Sequence, residues 1–269
     1  MTTTDLRGRW ALILGASSGL GAATALELAK HGMHIIGLYL GKGHNADAVT
    51  AQVAELKQFG GQVHFIRTNV ANAERRLKCI AQIKGITVGQ PIHMLMHSIA
   101  FGSLELLVPG EPGKAAGKAA TQSQLEMTMD VMANSMVYWT QDLFYADLFT
   151  KGSRVFGMSS AGSVQTFPYY GVVSAAKAAL ESHTRNLAAE LAPRGILVNS
   201  LLVGVVDTPA MRKIPSSAQM VENALRRNPS QRLTTAEDVA RTIRVLCDPD
   251  LDWITGAVIP VDGGELVVN

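Results

Sequence analysis

The chain has 269 residues, 47% of them hydrophobic and 17% charged, with a formal net charge of +2. That composition supplies enough apolar material for a well-buried α/β core and excludes intrinsic disorder. No apolar run approaches the ~18 residues of a bilayer span, the near-neutral balance leaves no footprint for nucleic acid, and Cys79 and Cys247 are too few for a disulfide framework or a cysteine zinc site.

Apolar runs and helical patterns alternate along the chain. Trp10–Leu14 is a short apolar run ending in glycine, and a helical pattern over 20–31 stops at Gly32. A second run covers 34–40, and 46–59 reads as a helix closed by Gly60 and Gly61. Val63–Arg67, Ile92–His97, 154–158 and 196–202 continue the strand series. Helix candidates lie at 73–84, 124–149 and 170–191, with a further helix at 236–247 and a last strand at 257–261. Continuous apolar strands separated by helices imply a parallel sheet covered on both faces, in a doubly wound Rossmann-type arrangement. No linker-like composition or internal repeat divides the chain, so one domain is expected over 1–269; the small-residue stretch at 109–121 reads as a flexible insertion. The N-terminus has no charged start followed by an apolar stretch and cleavage site, so a reduced, cytoplasmic protein is expected.

Gly15-Ala16-Ser17-Ser18-Gly19-Leu20-Gly21 joins the first strand to the first helix. Glycines there permit a tight turn and let backbone N–H groups meet a pyrophosphate at the helix start. The same residues satisfy G-x-S-x-G, the nucleophile elbow of α/β-hydrolases, but only one strand fits ahead of Ser17, where that fold needs several. A dinucleotide turn is the better reading. An acid about 20 residues further on would hold the ribose 2′-hydroxyl of NAD. The second strand ends instead in Leu38-Tyr39-Leu40-Gly41-Lys42, with no acid before Asp47. Lys42 could attract a 2′-phosphate, so NADPH is favoured over NADH.

Tyr170 and Lys177 sit at the start of a long helical pattern, in Tyr169-Tyr170-Gly171-Val172-Val173-Ser174-Ala175-Ala176-Lys177. At about 100° per residue, positions four or seven before Lys177 share its face. The nearer is Val173, which has no proton to give; the farther is Tyr170. A nearby ammonium strengthens a phenol as donor to developing negative charge.

With these residues assembled, the chain resembles the short-chain dehydrogenases/reductases along nearly its whole length. The carriers are Gly15-x3-Gly19-x-Gly21, Asn69-Val70, Ser159-Ser160 and the Tyr-to-Lys helix, extended by Asn199, Asp207-Thr208-Pro209 and Asp262-Gly263-Gly264. Three departures from the commonest pattern resemble the enoyl-acyl-carrier-protein reductases. His97-Ser98-Ile99-Ala100 replaces Asn-Asn-Ala-Gly, Y-x6-K replaces Y-x3-K, and Met132 stands where an asparagine is common, with Asn134 two residues on. A regular helix would set Tyr170 about 4.5 Å further from Lys177 than the usual tyrosine. That suits an enoyl thioester, whose charge develops on an oxygen more distant from the carbon receiving hydride.

The resemblance implies an NADPH-dependent enoyl reductase in fatty-acid biosynthesis, with Tyr170 and Lys177 catalytic and Ser160 supporting. Ser17, Ser18 and Leu20 would line the pyrophosphate turn, Asn69 and Val70 would meet the adenine, and Ser98, Ile99 and Ala100 would pass beneath the cofactor. Val206 and Thr208 would reach its carboxamide end, and 207–229 would form a substrate lid with Met211, Ile214 and Met220 in its slot. The expected partners are an enoyl thioester on acyl carrier protein or CoA and three further copies in a homotetramer, without nucleic acid, membrane or metal. Lys213, Arg226 and Arg227 are candidate docking charges for an acidic carrier. Two rival readings remain: a carbonyl or 3-oxoacyl reductase of the same superfamily, against which Val173 argues, and a non-catalytic NADPH-binding sensor. His97 is expected to be a buried structural histidine, and the methionines at 127, 129, 132 and 136 to serve as core or interface.

Overall fold

The computed structural model describes residues 6–41, 46–110 and 119–268. Seven parallel strands form one sheet in the order β3-β2-β1-β4-β5-β6-β7. They are β1 (Trp10–Leu14), β2 (His34–Tyr39), β3 (Val63–Arg67), β4 (Ile92–His97), β5 (Arg154–Ser160), β6 (Leu197–Val203) and β7 (Val258–Val261). The helices are α1 (Gly19–Lys30), α2 (Ala46–Lys57), α3 (Ala73–Thr87), α4 (Gln122–Met129), α5 (Ser135–Tyr145), α6 (Gly171–Leu191), α7 (Ser217–Arg227) and α8 (Ala236–Leu246).

Every residue of β1, β4 and β6 is buried, which explains why these strands read as unbroken apolar runs: both faces are covered. One apolar cluster joins Leu12, Leu14 and Leu95 to Trp139, Leu143 and Leu180 on the face carrying α3, α5 and α6. The other joins Ile13, Ile35 and Met96 to Leu28, Val239 and Ile243 under α1 and α8. The strand order reverses between β1 and β4, and the crevice at their carboxyl ends is where such sheets bind ligands. Among the described residues no helix is long and apolar enough to cross a membrane.

The single helix expected over 124–149 is an uninterrupted helical run from Gln122 to Tyr145 with a π turn inside it. Thr121 and Gln124 form a reciprocal cap that starts α4 at Gln122, a π-helical turn occupies Asp130–Asn134, and α5 then runs to Tyr145. The π turn places Ser135 so that its hydroxyl donates to the Val131 carbonyl at 2.7 Å. Asp147, in the left-handed region with φ of 59°, prevents the chain from continuing as helix to 149. The 207–229 segment contains α7, which the prolines had obscured. Its Met220 and Ala224 are buried, as is Ile214 ahead of it. Lys42 and residues 111–118 of the small-residue stretch lie outside the described residues.

Candidate active site

The turn after β1 is shaped by close backbone approach. Gly15 has φ of +89°, and a Cβ there would stand 2.2 Å from the Ser98 carbonyl oxygen. A Cβ on Gly21 would stand 2.2 Å from the Gly15 carbonyl, so only glycine fits either place. Gly15 and Ala16 donate N–H to Leu38, and Ser98 donates its own to Leu14, binding the turn to the ends of β2 and β1. Ser18 takes the cap position of α1 in extended conformation, but its side chain makes no capping bond, and no acid occupies the first turn. The positive end of α1 is therefore left to an anion. Thr208 closes in from the loop after β6, its Cγ2 3.4 Å from where a Cβ on Gly19 would lie. Gly15, Ser17, Ser18, Gly19, Leu20, Gly21, Ser98 and Thr208 thus meet at one crevice. Ile99 and Val206 pack into the apolar clusters beside it, and Ala100 is exposed.

Asn69 and Val70 follow the edge strand β3. Asn69 is exposed with its side-chain oxygen accepting from Ala71 N–H, while the buried Val70 accepts from the Trp139 indole at 3.0 Å. Arg67, which ends β3, donates from Nε to the Leu40 carbonyl at 3.2 Å, so a cation stands at the end of β2 where an NAD-binding chain carries an acid.

The catalytic candidates converge on the carboxyl end of β5. Tyr170 is the residue capping α6 rather than a member of it, and Tyr169 before it is strained at φ of 64°. The Tyr170 hydroxyl lies 3.2 Å from Ser160 Oγ, and its ring stands edge-on to Phe167. Burial raises its pKa, opposed by the Ser160 hydrogen bond. Lys177 is buried and donates from Nζ to the Met158 carbonyl at 2.6 Å. Burial lowers its pKa to about 8, with Glu181 acting in the opposite direction. Val173, where the nearer tyrosine of the commoner pattern would sit, is 4% exposed and packs with Thr128 and Met132 around Gly102. That position is core.

His97 is fully buried at the end of β4, with Nε2 2.8 Å from Ser135 Oγ. Because that hydroxyl already donates to Val131, it accepts from the ring, leaving Nδ1 as an acceptor without a partner. Burial, reinforced by Lys177, lowers its pKa to about 3, so it is neutral. Asn134 does not point to Lys177; its oxygen lies 3.1 Å from His183 Nε2. Among the docking candidates, Lys213 and Arg226 are exposed, whereas Arg227 is half-buried and donates to the Val268 carbonyl and to Gln165. The sequence reading passed over Glu181, a buried acid four residues after Lys177. Its signal was a charge at a core-facing helical spacing.

A cavity of about 1120 Å³ opens at the opposite, amino ends of the strands beside Arg9, His93, Arg154 and Trp253. Arg154 donates there to the carbonyls of Gly152, Leu246 and Asp248, which makes it a cap for the end of α8.

A helix start open to phosphate, a tyrosine and a buried lysine at the switch point of a doubly wound sheet define a nucleotide-dependent oxidoreductase site. A family model described as enoyl-(acyl carrier protein) reductase matches residues 15–265, and the chain belongs to this family of short-chain dehydrogenases/reductases. It is 30% identical to the 1-cyclohexenylcarbonyl-CoA reductase of Streptomyces collinus, over 99% of this chain and 89% of that one. It is 31% identical to a 3-oxoacyl-[acyl-carrier-protein] reductase of Synechocystis, over 98% and 99%. The crystal structure of an enoyl-[acyl-carrier-protein] reductase (NADH) from Aquifex aeolicus superposes with a TM-score of 0.83 at 25% identity, covering 98% of each chain.

Proposed function

We propose that this protein reduces the trans-2 double bond of enoyl thioesters with NADPH, as an enoyl-acyl-carrier-protein reductase. The observation that carries the reading is the position of the phenol. Tyr170 caps α6 with its hydroxyl on Ser160, while Val173, the site of the nearer tyrosine in ketone reducers, is filled by buried apolar packing. The free start of α1, the Ser17 and Ser18 hydroxyls and the two Lys177 N–H bonds not spent on Met158 form a donor set that fits a dinucleotide's pyrophosphate and ribose hydroxyls. The absence of an acid after β2, together with Arg67 beside it, favours the 2′-phosphate of NADPH.

When bound, the nicotinamide would supply a hydride to C3 of the enoyl thioester, and a proton taken up at C2 would complete the reduction. The chain's part is electrostatic: the neutral phenol of Tyr170 donates a hydrogen bond to the thioester oxygen as enolate charge develops, and Ser160 orients that phenol. Lys177 holds the ribose and adds positive potential under the site. The 207–229 segment, with α7, acts as the lid, and Lys213 and Arg226 offer charge to an acidic carrier protein. A homotetramer is the proposed assembly.

The test is loss of reduced-nicotinamide absorbance with crotonyl or 2-dodecenoyl thioester, run beside acetoacetyl thioester. Reduction of the enoyl substrate alone supports the reading. Reduction of the oxoacyl substrate alone moves the protein to the ketone reducers, the activity named for its Synechocystis relative. Nucleotide binding without turnover of either would leave the nucleotide fold standing and overturn the substrate class.

A further inference from the structure

Three consecutive residues at the end of β5 each hold one polar group from the Tyr170–Glu181 stretch. The Met158 carbonyl accepts from Lys177 Nζ at 2.6 Å, the Ser159 hydroxyl donates to Glu181 Oε1 at 2.5 Å, and the Ser160 hydroxyl meets the Tyr170 hydroxyl at 3.2 Å. The first and third contacts belong to the site described above. The second is buried at both ends, with Ser159 4% and Glu181 8% exposed. Nothing in the chemistry above uses it. A carboxylate taken out of water needs compensation; the Ser159 hydroxyl supplies one hydrogen bond, and the buried Lys177 stands one helical turn earlier on α6.

We propose that Glu181, anchored by Ser159, is a positioning residue that keeps Lys177 in its ammonium form, so that cofactor binding persists into mildly alkaline solution. The inference rests on the reading of Lys177 as the ribose-binding residue, not on the identity of the acyl substrate. The surroundings leave Glu181 as the group that can do this. On β4 the facing titratable residue is His97, which is neutral; on β6 none is titratable. On β5 only Arg154 is charged, and it lies at the far end of the strand. The π turn brings Asp130, which Tyr138 hydrogen-bonds, and α4 brings the exposed Glu126. On α6 itself, Tyr170 is a neutral phenol and His183 is turned to Asn134. Burial acts against the Lys177 charge and Glu181 acts for it.

The experiment is the dissociation constant of NADPH, from nucleotide fluorescence, between about pH 6.5 and about pH 9.5. NADH serves as a second probe because it lacks the titrating 2′-phosphate. The wild-type affinity is expected to weaken above about pH 8, the value to which Lys177 is lowered. In Glu181→Gln that limb should move about one unit toward acid, so affinity at pH 8 falls about five-fold while that at pH 6.5 changes by less than about two-fold. Ser159→Ala leaves the carboxylate present but unanchored, and should shift the limb the same way by less; it carries the test if Glu181→Gln does not fold. A wild-type affinity flat to pH 9.5, an unmoved limb in the variant, or a loss equal at every pH overturns the proposal. Wild-type protein that binds NADPH with this pH dependence but leaves enoyl thioesters untouched would overturn the assigned reaction alone.

Discussion

Replacing Tyr170 by Phe removes one hydroxyl and keeps the ring, which separates the chemistry of the phenol from its packing. The ring stands at 89° to Phe167 with centroids 6.1 Å apart and covers Gly162, where a Cβ would come within 2.3 Å of Cε1. Phenylalanine preserves both contacts. What is lost is one hydrogen bond to Ser160, long at 3.2 Å and only half-buried. Such a bond contributes about 0.5–1.5 kcal/mol to folding, a shift of a few degrees in Tm at most for a chain this size. The same hydroxyl aimed at a developing enolate oxygen is worth about 2.7–4 kcal/mol in the transition state, or about 10²–10³ in turnover. Tyr170→Phe should therefore keep NADPH affinity within about two-fold while kcat for crotonyl thioester falls a hundred-fold or more. The assay is single-substrate kinetics beside a fluorescence titration of NADPH. A fall in kcat smaller than about ten-fold, or equal losses in binding and turnover, would refute the role given to this phenol.

Other consequences can be measured directly. Gly15→Ala puts a methyl 2.2 Å from the Ser98 carbonyl at φ of +89°, and should cost about 2–4 kcal/mol in urea unfolding along with nucleotide affinity; an unchanged urea midpoint would mean the turn has room to relax. Arg67→Ala should weaken NADPH by about ten-fold or more and leave NADH nearly unaffected, as expected for loss of a charge-assisted contact to the 2′-phosphate; equal effects on both nucleotides would remove Arg67 from cofactor selection. Acid should destabilise the fold, because burial lowers His93 to about 4 and His97 to about 3 from an ordinary 6.5. The folded state binds fewer protons than the unfolded chain in that window, so the stability is whole above 6.5 and is lost as pH falls toward those values. Each histidine contributes about 1.4 kcal/mol per pH unit there, and urea midpoints at about pH 7, 6 and 5 report it; a flat series contradicts it. Lys213→Glu with Arg226→Glu should raise KM for a carrier-linked enoyl substrate and leave the CoA thioester less affected, whereas equal effects would argue against a docking face.

Much of this was legible in the chain because it is written in local terms. Glycine at Gly15 and Gly21 announces a tight turn, and the central strands β1, β4 and β6 read as apolar runs because both faces of a parallel sheet are covered. The Y-x6-K spacing is a matter of counting. By contrast, the Asp130–Asn134 π turn within one long helical run left no distinct trace, since the same residues suit an α-helix. Helix α7 has a helical period, with Met220 and Ala224 on its buried face, but Pro215 and Pro229 on either side of it read as loop signals.

Sequence alone determined the class of fold and the glycine turn, because these depend on backbone sterics and on the alternation of apolar runs, and it singled out Tyr170 and Lys177 by their spacing. Tertiary structure decided what surrounds them. It showed that Tyr170 caps α6 and meets Ser160, that Lys177 is buried with Glu181 one turn below, and that His97 is a neutral core imidazole on Ser135. Those facts depend on how far a side chain is removed from water and which distant strand it faces. Both are set by the packing of α6 against β5, not by any residue's neighbours in sequence.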